Sequence, residues 1–322
     1  TPISLGVQKL FSSHIGIFGN TGSGKSYTLA KLYRQLFVEY KCSKLFKKYS
    51  KFLFIDFNGE YSGTDAIVSD KQVYNLSTRT TKDKIPFPKK ALLDLDTLCI
   101  FASATEKTQR PFISRCLEYH DYIRDENHFK NILKKLIEEI LLMSDKQRAE
   151  LLLDYVEQIV PKYISIDGEI INLHSGLTFH NSKNYYYWDG EMSKSIQSAP
   201  ELVHNTLYYK QAEEYSQPTD LIEYFIHIMY LRLIRDVLDN RAMNEHIAPA
   251  INKLKSMVKD IGNLIDFNDD DFWKKNNVVV VNLDSVNQDL KKMIPLLLCN
   301  HLYKEHKHQK EKDLTYLNII ID

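Results

Sequence analysis

Short apolar runs alternate along this chain with stretches where apolar residues recur every three or four positions. The runs lie at 15–18, 52–55, 97–102, 278–283 and 316–321, and the clearest recurrence joins Leu29, Leu32, Tyr33, Leu36 and Phe37. A short continuous run between polar residues suits a strand covered on both faces, and the three-to-four spacing suits a helix face. The pattern predicts strands at 15–19, 52–56, 97–102, 278–283 and 316–321. It predicts helices at 24–40, 219–240, 244–261 and 287–306, with a basic stretch at 44–51 and loop through Pro86 and Pro88. Strands and helices in alternation imply an α/β fold around a mainly parallel sheet.

The middle of the chain breaks this rhythm. Residues 108–163 read as mostly helical, with an apolar face through Phe129, Ile132, Leu133, Leu136, Ile137 and Ile140. Residues 164–218 mix Gly, Asn, Ser and His with the cluster Tyr185-Tyr186-Tyr187-Trp188, the composition of an irregular or β-rich segment. The expected organisation is a core in two parts, 1–125 and 246–322, interrupted by a mainly helical insertion at 126–245.

Composition narrows the class only slightly. With 322 residues and 43% hydrophobic content, the chain has ample material for a core. Basic and acidic residues number 42 each, so bulk charge neither supports nor excludes nucleic acid as a partner. Cys42, Cys99, Cys116 and Cys299 form no CxxC pair and read as reduced thiols of a cytoplasmic protein. No apolar run approaches membrane-spanning length, roughly 18 residues, and no signal peptide is evident. The chain begins at Thr1 close before one apolar run and stops just after another, and strand edges are seldom left open there. The expectation is a piece, or joined pieces, of a longer protein.

The chemistry is concentrated in Gly19-Asn20-Thr21-Gly22-Ser23-Gly24-Lys25-Ser26, a full G-x-x-x-x-G-K-[ST] pattern placed between a predicted strand and a predicted helix. Glycines let the backbone close around phosphate oxygens at the positive end of the helix dipole. Lys25 is positioned to neutralise the β- and γ-phosphates and Ser26 to ligate Mg²⁺. Residues 19–27, through Tyr27, are the expected ATP-binding segment. Hydrolysis also needs an acidic residue ending a second apolar strand. Two runs end in aspartate, at Asp56 and Asp322, and Asp322 is the candidate Walker B residue and second Mg²⁺ ligand. The turn Asp56-Phe57-Asn58-Gly59-Glu60-Tyr61 sets two carboxylates at the end of a strand expected to neighbour the P-loop strand. It reads either as part of the catalytic crevice, with Asp56 and Glu60 on the γ-phosphate side, or as a solvated turn.

Residues 14–32 (HIGIFGNTGSGKSYTLAKL) followed by 52–61 (FLFIDFNGEY) resemble the HerA branch of the HerA–FtsK ATPases. Residues 108–113 and 278–298 resemble further segments of that family, and Asp322 falls where its Walker B aspartate would. The resemblance covers roughly 1–125 and 245–322. It implies a RecA-like, Mg²⁺-dependent ATPase acting as a homohexameric ring that translocates double-stranded DNA. It further implies a nuclease or sirtuin-like NAD hydrolase as effector partner, as in bacterial antiviral defence. An alternative within the same resemblance is a nucleotide-dependent scaffold that activates its effector with little translocation. The chain departs from the family at Ser13, where a basic residue is common, and at Asn58, where histidine is. Asn252 or Lys253 stands where arginine is frequent, leaving Arg110 and Arg241 as candidate interface arginines.

Other signals carry less. His306-x-His308 near His301 lacks the cysteine or carboxylates that would complete a metal site. Tyr185 to Trp188 reads as packing rather than a base-stacking platform, and the Lys44, Lys47, Lys48, Lys51 cluster reads as a charged surface segment.

Overall fold

The structure is a computed structural model that describes residues 6–11, 13–191, 194–241, 244–309 and 315–322. In chain order its first elements are α1 (Val7–Phe11), α2 (Lys25–Glu39), α3 (Lys44–Tyr49), β1 (Ser50–Asp56), β2 (Gln72–Ser77) and β3 (Ile85–Pro86). The helices α4 (Lys89–Leu92), α5 (Leu95–Ala102), α6 (Gln109–Tyr122), α7 (Glu126–Leu141) and α8 (Lys146–Glu157) come next. A hairpin, β4 (Leu177–His180) and β5 (Tyr185–Trp188), precedes α9 (Leu207–Glu213), α10 (Leu221–Leu238) and α11 (Asn244–Leu264). The chain returns to strands in β6 (Ile265–Asp266) and β7 (Val278–Ser285), then forms α12 (Gln288–Lys307) and β8 (Tyr316–Ile321). These elements make two compact units, 1–100 with 259–322 and 101–258.

The first unit holds a parallel sheet in the order β2-β7-β1-β8. β1 is its centre. Phe52 and Phe54 face a cluster with Tyr33, Leu36 and Phe37 of α2, while Leu53 and Ile55, on the opposite face, are also fully buried. Alternate residues of a strand point to opposite sides, so a strand with no polar face is covered on both. The Phe37 and Phe52 rings meet edge to face at 5.0 Å, and Tyr33 meets Phe54 at 5.2 Å. α2 is thereby fixed over the middle of β1.

Two predicted strands are corrected here. Residues 14–20 form no strand, with Phe18 94% exposed. A parallel strand needs a hydrogen-bonding neighbour, and among the described residues none pairs with the outer edge of β8. Residues 97–102 are helical in α5, because Asp94 Oδ2 accepts from the backbone N–H groups of Asp96 and Thr97 and starts a helix there. A buried apolar run of six fits either element by periodicity alone. The strand missed in its place is β2, whose mixed polar sequence Gln-Val-Tyr-Asn-Leu-Ser hid an edge position beside β7. The basic stretch is the short helix α3, capped by Ser43, with Lys47 paired to Asp70 at 3.2 Å.

The second unit is mostly helical. Asp125, Asp145 and Asp220 cap α7, α8 and α10. Phe129, Leu133, Leu136, Ile137 and Ile140 of α7 are fully buried, and α10 is apolar almost all round, as suits a central helix. Asp236 of α10, fully buried, accepts from Arg115 Nη2 at 2.9 Å and Nε at 3.2 Å, and Arg232 Nε lies 2.9 Å away. The tyrosine cluster is the second strand of the hairpin, and Tyr186 packs edge to face on Phe179.

Candidate functional site

The P-loop backbone passes into α2 through Gly24, whose φ of 82° lies in the left-handed region that glycine enters without strain. Residues 19–24 are exposed, with Lys25 and Ser26 half-buried below them and Tyr27 72% exposed. The Lys25 ammonium donates to the carbonyls of Gly19 (3.0 Å) and Asn20 (2.9 Å), which places the cation inside the curl of the loop. Ser23 N–H closes the turn onto the Asn20 carbonyl at 3.1 Å. The first-turn amides of α2 accordingly open at the loop, the arrangement that receives anions.

Ser26 joins this loop to the far end of the chain. Its hydroxyl donates to Asp322 Oδ1 at 3.3 Å, across 296 positions of sequence. The parallel pairing of β8 with β1 puts Asp322 at the carboxyl edge of the sheet, and its N–H donates to the Ile55 carbonyl at 3.2 Å. Among the described residues, Asp322 Oδ2 is buried without a hydrogen-bond partner of ordinary geometry. A hydroxyl and a carboxylate oxygen with spare coordination capacity are hard donors that suit Mg²⁺, which typically takes one or two carboxylates and completes its shell with water and phosphate oxygens. Among the described residues there is no cluster of three or more His, Cys, Asp or Glu side chains that could hold a metal, His301, His306 and His308 included.

The turn after β1 is built around Asp56. This fully buried carboxylate accepts four backbone N–H groups: Asn58 (3.3 Å), Gly59 (2.8 Å) and Glu60 (3.0 Å) at Oδ1, and Tyr61 (2.8 Å) at Oδ2. Gly59, with φ of 78°, lets the chain fold back far enough for all four to converge. Asp56 is thus occupied in shaping the turn, while Glu60 is exposed on it. The turn is held from outside as well. Lys291 of α12 donates to the Phe57 carbonyl at 3.3 Å, and Asn282 of β7 donates to Ser62 Oγ at 3.3 Å and Asn75 Oδ1 at 3.0 Å. The strand carrying this turn lies between β7 and β8, not beside the residues that precede the P-loop.

Tyr61 links the turn to the Ser26–Asp322 pair. Its ring is 1% exposed and packs on Phe54, and its hydroxyl lies 3.5 Å from the Ser26 carbonyl oxygen, a long contact. Burial raises the phenol well above its ordinary value, and the charge and hydrogen bonding of Asp322 raise it further; the Ser26 hydrogen bond opposes this, and the charge of Glu60 adds a smaller rise. Lys71 stands near the same turn; burial lowers its ammonium, and the charges of Asp65 and Asp56 work against that.

The structure therefore brings Ser26, Asp322, Asp56 and Tyr61 together at one end of the sheet, with Lys25 in the loop above Ser26. Sequence reasoning overlooked Tyr61, Asn282 and Lys291. Tyr61 sat in the quoted turn, whereas the other two have no local motif, since only the sheet order and α12 bring them there. Arg110 pairs with Glu106 (3.6 Å) and Arg241 with Asp239 (3.7 Å), both in the helical unit. No helix among the described residues is long and apolar enough to cross a membrane.

Comparison with curated proteins finds no match. A family model described as "Helicase HerA, central domain" matches residues 1–302, which include the P-loop, the Asp56 turn, β7 and most of α12. The chain belongs to the HerA helicase central-domain family.

Proposed function

We propose that this chain is the ATP-hydrolysing core of a DNA-translocating motor that works as a homohexameric ring. Membership of the HerA family points to an ATPase motor. The observation that carries the proposal is the 3.3 Å contact of Ser26 with Asp322, which joins the loop's magnesium-ligand position to a strand-end carboxylate. In this reading residues 19–27 cradle the triphosphate, Lys25 turns from its two carbonyls to the β- and γ-phosphates, and Ser26 and Asp322 hold the cation. Bound Mg²⁺ would supply Lewis-acid neutralisation of the phosphate oxygens. In the same reading Glu60, exposed on a pinned turn, serves the γ-phosphate side, and Asp56 supports that turn through four backbone amides. Residues 126–245 are an insertion between the two parts of the motor core. Double-stranded DNA is the proposed track, and a nuclease or sirtuin-like NAD hydrolase the proposed effector, in a cytoplasmic antiviral role.

The test is ATP turnover of the protein with and without duplex DNA, beside Lys25→Ala. Stimulation by DNA, abolished in Lys25→Ala, is the expected result. Turnover indifferent to DNA yet lost in Lys25→Ala would replace the motor by an effector-activating scaffold. Turnover unchanged in Lys25→Ala would refute the nucleotide site itself.

A further inference from the structure

Asp322 has one oxygen engaged by Ser26 and one buried oxygen that, among the described residues, makes no hydrogen bond of ordinary geometry. An unsatisfied buried carboxylate oxygen is costly, so a site that keeps one has a use for it. The hydroxyl facing this carboxylate from the protein side belongs to Tyr61, which at present sits 3.5 Å from the Ser26 carbonyl oxygen, at the limit of a hydrogen bond. The hydroxyl interacts with both Ser26 and Asp322. The ring itself is fixed. Its backbone N–H is bonded to Asp56 at 2.8 Å, and it meets the Phe54 ring at a tilt with a centroid distance of 5.8 Å.

We infer that Tyr61 is a positioning residue for the cation site: its hydroxyl orients the Asp322 carboxylate and couples that orientation to the turn that carries Glu60. When Ser26 leaves Asp322 to serve the cation, the carboxylate loses that donor, and Tyr61, whose hydroxyl already interacts with Asp322, is the donor that remains. Because Tyr61 and Glu60 are consecutive and both anchored on Asp56, the strand-end carboxylate and Glu60 are held in one rigid frame. Outer partners of this kind orient the ligands that touch a metal, and their loss typically weakens metal affinity about 10- to 100-fold.

The inference rests on the nucleotide reading above, and its test separates the two. A fluorescent non-hydrolysable ATP analogue is titrated onto wild type, Tyr61→Phe and Lys25→Ala, in EDTA and across a Mg²⁺ series, while Trp273 fluorescence follows melting. Tyr61→Phe is expected to need about tenfold more Mg²⁺ for half-maximal enhancement of binding. Its affinity in EDTA and its melting temperature should match wild type. A Mg²⁺ curve superimposable on wild type overturns the inference. So does an equal loss of affinity with and without Mg²⁺, which would mean a merely structural role. Phe54→Leu loosens the same ring without touching the hydroxyl. If it shifts the Mg²⁺ curve as far as Tyr61→Phe does, packing rather than the hydroxyl is responsible and the inference falls. If wild type itself binds no analogue in a Lys25-dependent way, the nucleotide reading fails first and takes the inference with it.

Discussion

Replacing Asp56 by asparagine separates two roles that the sequence alone leaves mixed. The carboxylate accepts N–H groups of Asn58, Gly59 and Glu60 at one oxygen and of the buried Tyr61 at the other. Asparagine retains one oxygen and must put an amide NH₂ where the second stood. With the retained oxygen toward Asn58, Gly59 and Glu60, the bond to Tyr61 N–H is lost and two donors confront each other. A charge-assisted hydrogen bond contributes about 1.5–3 kcal/mol, and the remaining three lose their charge assistance. The combined cost is about 3 kcal/mol, partly offset because water reaches the exposed residues of the turn. For a unit of this size, 1 kcal/mol lowers the melting temperature by roughly 2–4 °C, so Asp56→Asn should melt about 6–12 °C early. Trp273 lies in the sheet unit and Trp188 in the helical unit, so the two can be followed separately in Trp→Phe backgrounds. The early transition should appear at Trp273 alone. A variant that melts like wild type and binds nucleotide normally, yet hydrolyses none, would refute this account and make Asp56 a catalytic carboxylate.

Two further outcomes test the helical unit. Asp236→Ala leaves Arg115 and Arg232 facing each other without their shared anion, and is expected to cost about 3–5 kcal/mol, read as early melting at Trp188. An unchanged transition would mean that the two arginines relax to solvent at no cost. His227 is held down at about 4 against an ordinary 6.5, first by burial and then by the charge of Lys255, with the Tyr215 hydroxyl 3.3 Å from its Nδ1. The native imidazole is therefore neutral where the unfolded one takes a proton. Its contribution is intact above pH 6.5 and is lost as pH falls from there toward 4, by up to about 3 kcal/mol. His227→Gln should flatten denaturation midpoints between these limits, and an identical pH profile in the variant would refute the assignment.

The reach of sequence reasoning follows from where each signal is stored. The central runs of β1, β7 and β8 were legible because local pattern and tertiary position coincide there. Phe52 to Ile55 are apolar on both sides since β1 is covered on both sides. The two misplaced strands failed for opposite reasons. At 97–102 the apolar run was real but Asp94 commits it to a helix, and at 15–18 a strand-like run lacks a pairing neighbour among the described residues. Edge strand β2 was invisible because half-exposed positions admit polar residues such as Gln72 and Asn75. The site follows the same rule. Lys25 and Ser26 announce themselves in eight consecutive residues, but the task of Asp56 cannot be read from spacing, because a carboxylate that polarises water and one that gathers four backbone amides occupy the same place in a motif. The two are told apart by counting acceptor positions already filled. Asp56 has both oxygens in use, whereas Asp322 Oδ2 makes no hydrogen bond of ordinary geometry among the described residues, so the capacity to take a new ligand lies with Asp322. Chemistry at this sheet edge should therefore depend on Asp322 and the groups that aim it, while Asp56 acts through the shape of its turn.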